Sequence, residues 1–477
     1  MKLAKLIEIV EDKCVNCHQC ISVCPMKFAN NGAEDVIHIN HDLCIGCGKC
    51  IHACTHGARL PIDDFDKAID DLTNKRFKTI AIVAPAVGSS FPGTYLRLNG
   101  WLKSLGVEAI FDVSFGAELT VKTYLEHVKK NNPKAVIAQP CPAIVSYIQT
   151  YQPSLLQYLA PADSPMVHVM KMVKKFYPQY ENHKMLVVSP CIAKRREFDE
   201  TGYGDYNVTI AKIIKYLDDK NIDLNNFLEV PFDNDPAERA VLFSSPGGLL
   251  ETAEREFPGI RNHTRKIEGV PTIYHYLKHL ELSIQKGTNP LVIDCLNCEL
   301  GCNGGTGTLN HDKMQDELEY NIKKRKNEML KDLKTDQSDE TALANLRKTI
   351  DKYWQDGLYS RTYINNSDNY KLQVKTPSEE QLKEVLLSMA KHSASDMKNC
   401  ASCGYNDCNE MAKAIFNGYN RKENCHFYLD HTIKEFNQEL DNKVKERTEE
   451  LINNSEELLE AMDKIKKLIG LLIPFLF

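Results

Sequence analysis

Residues 184–197 read Lys-Met-Leu-Val-Val-Ser-Pro-Cys-Ile-Ala-Lys-Arg-Arg-Glu. The first six are an apolar, β-rich run closed by proline, the pattern of a strand buried on both faces. Cys191 follows where that strand ends. Two other runs repeat the arrangement. Residues 134–139 (KAVIAQ) lead into Pro140-Cys141-Pro142, and residues 290–294 (PLVID) lead into Cys295, Cys298 and Cys302. Further strands are read at 78–85 and 107–113, with helices at 94–105 and 117–131. Strands alternating with helices predict an α/β domain built on a mostly parallel sheet covered on both faces. Ligands bind such sheets at the carboxyl ends of the strands. One buried cysteine is commonly just a small hydrophobe. Three sequence-distant strands presenting thiols at the same end predict a shared site. Cys295 is read as a buried free thiol, with a ligand role as the alternative.

Sixteen of the seventeen cysteines fall into four sets of four. Two near-identical runs lie thirty residues apart, Cys14, Cys17, Cys20 with Cys24, and Cys44, Cys47, Cys50 with Cys54. This C-x2-C-x2-C-x3-C repeat resembles the two-cluster bacterial ferredoxins, in which the fourth cysteine of each run ligates the other cluster. The resemblance pairs Cys14, Cys17, Cys20 and Cys54 on one [4Fe-4S] cluster, and Cys44, Cys47, Cys50 and Cys24 on the second. Gly46 and Gly48 let backbone amides approach the sulfides. Proline follows Cys24, but Thr55 follows Cys54. A pair of zinc sites is the alternative reading. Such a module carries one electron at a time and implies a reacting site elsewhere in the chain.

The central segments are Ala138-Gln-Pro-Cys141-Pro142, Ser189-Pro-Cys191-Ile-Ala-Lys194-Arg-Arg-Glu197, and Leu296-Asn-Cys298-Glu-Leu-Gly301-Cys302-Asn-Gly-Gly305. Their order and spacing resemble the [FeFe]-hydrogenases, as do Ser114-Phe-Gly-Ala117 and Phe243-Ser-Ser-Pro-Gly-Gly248 with Glu251. The resemblance spans roughly residues 1–310. It implies a cubane held by Cys141, Cys191, Cys298 and Cys302. Cys302 would bridge to a two-iron subcluster carrying carbon monoxide, cyanide and a dithiolate amine, the two parts forming an H-cluster. Lys194 matches the lysine that hydrogen-bonds a cyanide, so Lys194 and Glu197 are the candidate catalytic residues. Without the motif, Lys194 would read as an exposed residue of a basic run.

The departures from the family carry as much information. Its proton-transfer cysteine is Pro140 here, which has no ionisable side chain. Ala160 falls where the proton relay has a serine, and Thr120 to Asn131 keeps only Glu126. Ile144 or its neighbours replace a tryptophan, and Asn303 directly follows Cys302 in a third segment one residue shorter. A positioned acid contributes typically about 10²–10⁴-fold. Its loss implies slow turnover with cluster binding retained.

Residues 310–337 and 339–355 are highly charged and helical in pattern, and 391–396 reads as a polar boundary. Cys400, Cys403, Cys408 and Cys425 form a C-x2-C-x4-C-x16-C set. This set resembles the small cubane domains appended to hydrogenase-like proteins, with a helix expected over 411–419 and zinc as the alternative. From about 433 to 469 one long helix is predicted. Val444, Leu451, Leu458 and Ile465 recur every seven residues, a coiled-coil seam, while Arg447 and Asn454 interrupt the second seam. Residues 468–477 turn abruptly apolar, as a docking tail or the start of a further output domain.

The expected organisation is a two-cluster ferredoxin domain of α+β type (1–62), an α/β hydrogenase-type domain with parallel sheets (77–310), and a helical extension (311–394). A small, mostly α, four-cysteine [4Fe-4S] domain (395–430) and a coiled-coil or signalling helix (431–477) follow. The formal charge of −6 gives no support for nucleic-acid binding, and no apolar run reaches the roughly 20 residues of a membrane span. No signal peptide is read, so a cytoplasmic, anaerobic setting is expected. The leading functional expectation is a slow, H2-reactive redox sensor or regulatory hydrogenase. It would act on H2 and protons and exchange electrons with a ferredoxin or another redox partner. It would pair through its C-terminal helix with a second copy or a signalling partner. The alternatives are a non-catalytic iron–sulfur electron-transfer or assembly protein without the two-iron subcluster, and a ferredoxin-linked hydrogenase of ordinary turnover.

Overall fold

The structure, a computed structural model, describes residues 3–335 and 340–472. The chain divides into two compact units, Met1–Lys375 and Thr376–Phe477.

The first unit opens with β1 (Ile7–Ile9), β2 (Asn30–Asn31), β3 (His38–Ile39) and β4 (Arg59–Pro61). β1 pairs antiparallel with β4, and β2 with β3. Two four-residue helices, Gln19–Ser22 and Lys49–His52, carry the third cysteine of each run. The repeat in sequence is a repeat in backbone. Asn16 and His18 in one run, and Gly46 and Gly48 in the other, all take the left-handed conformation. Asn and His tolerate it better than most residues, and glycine takes it without strain.

The larger part of the unit contains β5 (Thr79–Val83), β6 (Ile110–Asp112), β7 (Val136–Ile137), β8 (Lys184–Ser189), β9 (Tyr206–Thr209), β10 (Thr264–Glu268) and β11 (Val292–Leu296). These form two parallel sheets, ordered β6-β5-β8-β9 and β10-β11-β7. The strands read from the sequence fall in these two parallel sheets, and β9 and β10 join them. β10 (Thr-Arg-Lys-Ile-Glu) is charged and partly exposed, which hides it from a search for apolar runs. In the four-stranded sheet, Ile80, Ile82, Met185 and Val187 face one core and Ala81, Val83, Leu186 and Val188 the other. That two-sided burial is what an unbroken apolar strand encodes.

The Val113–Asn131 helix starts four residues before the predicted position. The Asp112 carboxylate accepts from the Ser114 amide at 2.8 Å and caps it, which ends β6 at Asp112. Beyond residue 310, the helices Gln315–Asp332 and Glu340–Tyr353 bury Leu318, Ile322, Arg325, Leu346, Ile350 and Tyr353. The Arg325 guanidinium is ion-paired with Asp112 in the interior. Residues 336–339 of this predicted helical stretch lie outside the described residues.

The second unit contains the helices Glu379–Ser388, Cys408–Phe416 and His426–Leu472. Asp407 caps the second by accepting from the Glu410 amide, so that helix starts at Cys408 rather than at 411. The long helix starts at His426, ahead of the predicted 433, and residues 473–477 of the apolar tail lie outside the described residues. Lys391, read as part of a polar boundary, is buried; its ammonium donates to the Asp396 carbonyl and sits over the Phe427 ring. Among the described residues, no helix is long and apolar enough to cross a membrane.

Candidate metal centres

The three cysteine-bearing segments leave strands of both parallel sheets and meet in one cavity. Cys141 lies just beyond β7, Cys191 beyond β8, and Cys298 and Cys302 beyond β11. All four line a space of about 780 Å³, partly open, together with Pro140, Pro142, Pro165, Met166, Phe243 and Lys194. Burial, with Cys141 as the nearest like charge, pushes the Cys191 thiol up to about 11. Burial with Cys141 and Cys191 pushes Cys298 up to about 12, and Cys302 rises under burial and the other three. Four thiols gathered in one apolar pocket are a soft donor set suited to a cation or cluster. The space exceeds what one ion needs. Among the described residues, no three His, Cys, Asp or Glu side chains close to single-ion spacing. The donor set and the pocket fit a polynuclear iron–sulfur group.

The basic run at 194–196 is not exposed. Each cation goes to a different buried or partly buried partner. Lys194, 6% exposed, donates from Nζ to the Pro140 carbonyl at 3.1 Å and to Glu197 Oε2 at 2.5 Å. Arg195 pairs with Asp64, and Arg196 donates to the Cys44 and His41 carbonyls. Glu197 stands behind Lys194, outside the cysteine cavity. Its carboxylate also accepts from Ser164 Oγ at 2.8 Å and Arg361 Nη1 at 3.0 Å. Burial alone would raise the Glu197 pKa; Lys194, Arg361 and the hydrogen bonds hold it below the usual carboxylate range. Arg361 was invisible to the sequence reading, because nothing in Ser360-Arg-Thr marks it.

Asn303, the residue that shortens the third segment, has a structural task. It accepts from Ser89 Oγ and donates to Ser245 Oγ, and its carbonyl accepts from Asn310, all within the interior. This pins the short Gly301–Gly304 turn that presents Cys302. Cys295 is fully buried in β11, its thiol donating to the Ala138 carbonyl, and burial holds its pKa far above neutrality.

In the N-terminal segment, Cys24, Cys44, Cys47 and Cys50 line one cavity of about 330 Å³. Cys20 is raised by burial and by the nearby Cys14 and Cys17 thiols. Cys54 accepts from the Ala58 amide at 3.3 Å; its membership of the Cys14 set rests on the motif. The Cys44–Cys50 loop docks on the third central segment. Asn297 donates to both the Cys47 carbonyl and Cys298 Sγ, each at 3.4 Å, and Lys49 pairs with Glu299 at 2.8 Å. A Cβ on Gly48 would lie 2.2 Å from Thr306 Cγ2, so only glycine allows this approach. Cys17, by contrast, is exposed.

Cys400, Cys403, Cys408 and Cys425 line another cavity of about 330 Å³, within the second unit. Asn399 Oδ1 accepts from the Cys408 amide at 3.0 Å, tying the loop to the helix start. Hydrogen bonds from Ser402 lower the Cys400 pKa, and burial raises that of Cys403.

Comparison with known families places these features. Residues 77–306 match the iron only hydrogenase large subunit, C-terminal domain; residues 6–64 match a 4Fe-4S dicluster domain, and residues 396–427 an Fe-S cluster family. Iron hydrogenase 1 of Clostridium pasteurianum is 26% identical over 53% of this chain and 51% of its own length. The periplasmic [Fe] hydrogenase large subunit of Nitratidesulfovibrio vulgaris is 30% identical over 52% of this chain and 67% of its own. The cytosolic Fe-S cluster assembly factor NAR1 of Yarrowia lipolytica is 25% identical over 44% of each chain. The chain thus matches about half the length of the first of these relatives. With the hydrogenase match falling on the segments that build the central cavity, the chain belongs to the iron-only hydrogenase large-subunit family.

Proposed function

We propose that this chain is a slow, H2-reactive redox sensor or regulatory hydrogenase. Cys141, Cys191, Cys298 and Cys302 would hold an H-cluster, with Cys302 as the bridge to its two-iron part. The observation that carries the proposal is Lys194. It is a buried cation lining the same cavity as the four thiols, held there by Glu197 and the Pro140 carbonyl. When bound, the two-iron part supplies the chemistry that splits and forms H2. Lys194 offers a fixed positive charge to anionic ligands in an apolar site, offsetting their desolvation. Glu197 acts through Lys194 as a positioning residue. Pro140 contributes a carbonyl and an apolar ring, so no side chain at that position holds or moves a proton. Turnover is expected about 10²–10⁴-fold below that of an enzyme with a positioned acid there.

The N-terminal cysteines would hold two [4Fe-4S] clusters. The exposed Cys17 side is the natural entry for electrons from a ferredoxin or another cytoplasmic redox partner. The loop packed on Cys298 is the natural exit. Cys400, Cys403, Cys408 and Cys425 would hold one further [4Fe-4S] cluster, and the His426–Leu472 helix would pair with a second copy to carry the output.

A second reading has its own support. The alignment with an assembly factor, together with Pro140, fits a protein that keeps the cubane and lacks the two-iron part. Infrared spectroscopy on anaerobically matured protein separates the two. Carbonyl and cyanide stretching bands are expected; their absence, with iron loaded, establishes the second reading. If the bands are present, H2 oxidation by Pro140→Cys is expected to rise at least tenfold. An unchanged rate would show that this position does not limit turnover.

A further inference from the structure

Arg59 is a full positive charge in an interior lined mainly by apolar groups and thiols, with Asn30 as a neutral polar neighbour. It lies on β4, is 4% exposed, and is flanked by the buried Ala58 and the strand partner Ile9. Its Nη2 donates to Cys20 Sγ at 3.1 Å and to the Ile37 carbonyl at 3.1 Å. Its Nη1 is buried with no hydrogen-bonding partner among the described residues. Cys20 belongs to the first N-terminal cysteine set. Cys50, of the second set, lies within Coulombic and hydrogen-bonding reach of the same guanidinium. One cation therefore sits between a ligand of each set, with an unclaimed N–H donor. A cluster sulfur is the acceptor that an orphaned donor beside cysteine ligands lacks.

Salt bridges to carboxylates are the usual means of burying an arginine, and among the described residues Arg59 has none; its charged partners are Cys50 and Cys20. Arginine stays protonated under all working conditions, so its charge is a constant. Each [4Fe-4S]²⁺ cluster becomes more negative by one unit on taking up one electron, and no proton need accompany it. A fixed cation, and N–H donors to sulfur, stabilise that reduced form and raise the reduction potential. A cation shared between two clusters raises both potentials together, although the repulsion between the two added electrons is unchanged.

We propose that Arg59 is the positioning residue that sets the potentials of both N-terminal clusters and lets the pair be reduced together. This rests on the two-cluster reading of the N-terminal segment and is independent of what fills the central cavity. It makes this segment an electron reservoir rather than a simple wire, suited to a chain that reacts slowly and stores the result.

The test is an EPR-monitored redox titration, with dithionite as reductant, of the iron-loaded full chain and of Arg59→Met, Arg59→Gln and Arg59→Lys. The readout is the signal of the magnetically coupled N-terminal pair. Arg59→Met and Arg59→Gln are expected to lower the reduced-to-oxidised ratio of both clusters at least tenfold at the wild-type midpoint. That corresponds to a downward shift of about 59 mV or more for a one-electron couple. Arg59→Lys is expected to retain most of the potential. Unchanged midpoints in a neutral variant with full iron content overturn the proposal, and so does a shift confined to one cluster. If Arg59→Met does not load iron, Arg59→Gln and Arg59→Lys are judged by the same rule; loss of loading in Arg59→Lys as well makes the residue structural and overturns it. A wild-type chain showing no coupled pair removes the two-cluster reading itself, a result distinct from unchanged midpoints.

Discussion

At the level of single residues, the central site is held by charge as much as by sulfur. Glu197 is buried between Lys194 and Arg361, so removing its charge leaves Lys194 without its carboxylate partner and Arg361 with Glu200 alone. Breaking a buried pair by neutralising one partner costs roughly 3–5 kcal/mol. Glu197→Gln is therefore expected to lower the denaturation midpoint of the first unit by a corresponding amount. Glu126→Gln, on a partly exposed side chain, should cost under about 1 kcal/mol. Equal midpoints for the two variants would show that the buried network carries no stability. His168 gives a pH signature. Burial lowers its pKa to about 3, its ring stacks on Tyr359, and its Nδ1 donates to the Ser164 carbonyl. The unfolded imidazole binds a proton near pH 6.5 and the folded one does not. Stability contributed by His168 is thus present above about 6.5 and falls as pH drops towards 3, by up to about 1.4 kcal/mol per unit. Asp294, pushed up to about 7 by burial, has the opposite slope, so the wild type minus His168→Gln difference across pH is the measurement that isolates the imidazole. The N-terminal and C-terminal cysteine runs stand out in the sequence because their spacing is local, and the central thiols because each segment follows an apolar strand. Arg361 and Asn303's partners come from remote segments, and no short window encodes them.

At the level of elements, the sequence carried the strands' hydrophobicity but not their sheet. β5 and β8 were readable because both faces are buried and both rows of side chains are apolar. β7 was read as six residues, yet only Val136 and Ile137 pair, because the ladder with β11 is that short. Which strand joins which sheet is decided by long-range pairing. That information is spread over β7 to β11, not held in any one of them. The glycines of the second cysteine run were read as giving amides access to sulfides. The structure adds a steric reason: Gly48, at φ +72°, sits against Thr306 of the third central segment. Gly48→Ala is expected to destabilise the docked loop by about 1–3 kcal/mol through backbone strain and the clash. Thr306→Gly in the same chain should recover the steric part and leave the strain. A double-mutant cycle on thermal stability measures this; strict additivity would mean that the two residues do not meet.

At the level of the whole chain, the proposed output lies in the second unit, on its long helix. Every residue from 433 to 470 is exposed, including Val444, Leu451, Leu458 and Ile465. A helix of 47 residues, about 70 Å long, does not keep such a stripe in water without a reason. Taking Val444, Leu451, Leu458 and Ile465 as a positions puts Ile433, Leu440, Arg447, Asn454, Ala461 and Leu468 at d. Polar residues at inner positions cost stability and specify register and oligomer number, which favours a two-stranded pairing of like chains over a larger bundle. A heptad is a local pattern, so the expectation of a seam is readable in the sequence; what such a seam would pair with is not. Light scattering on the intact chain is expected to give a dimer. Leu451→Lys with Leu458→Lys should yield a monomer with unchanged iron content, since neither residue approaches the cavity of Cys400, Cys403, Cys408 and Cys425. A wild-type chain that is monomeric at tens of micromolar would end the second-copy proposal. A lysine pair that leaves the dimer intact would move the interface away from this helix.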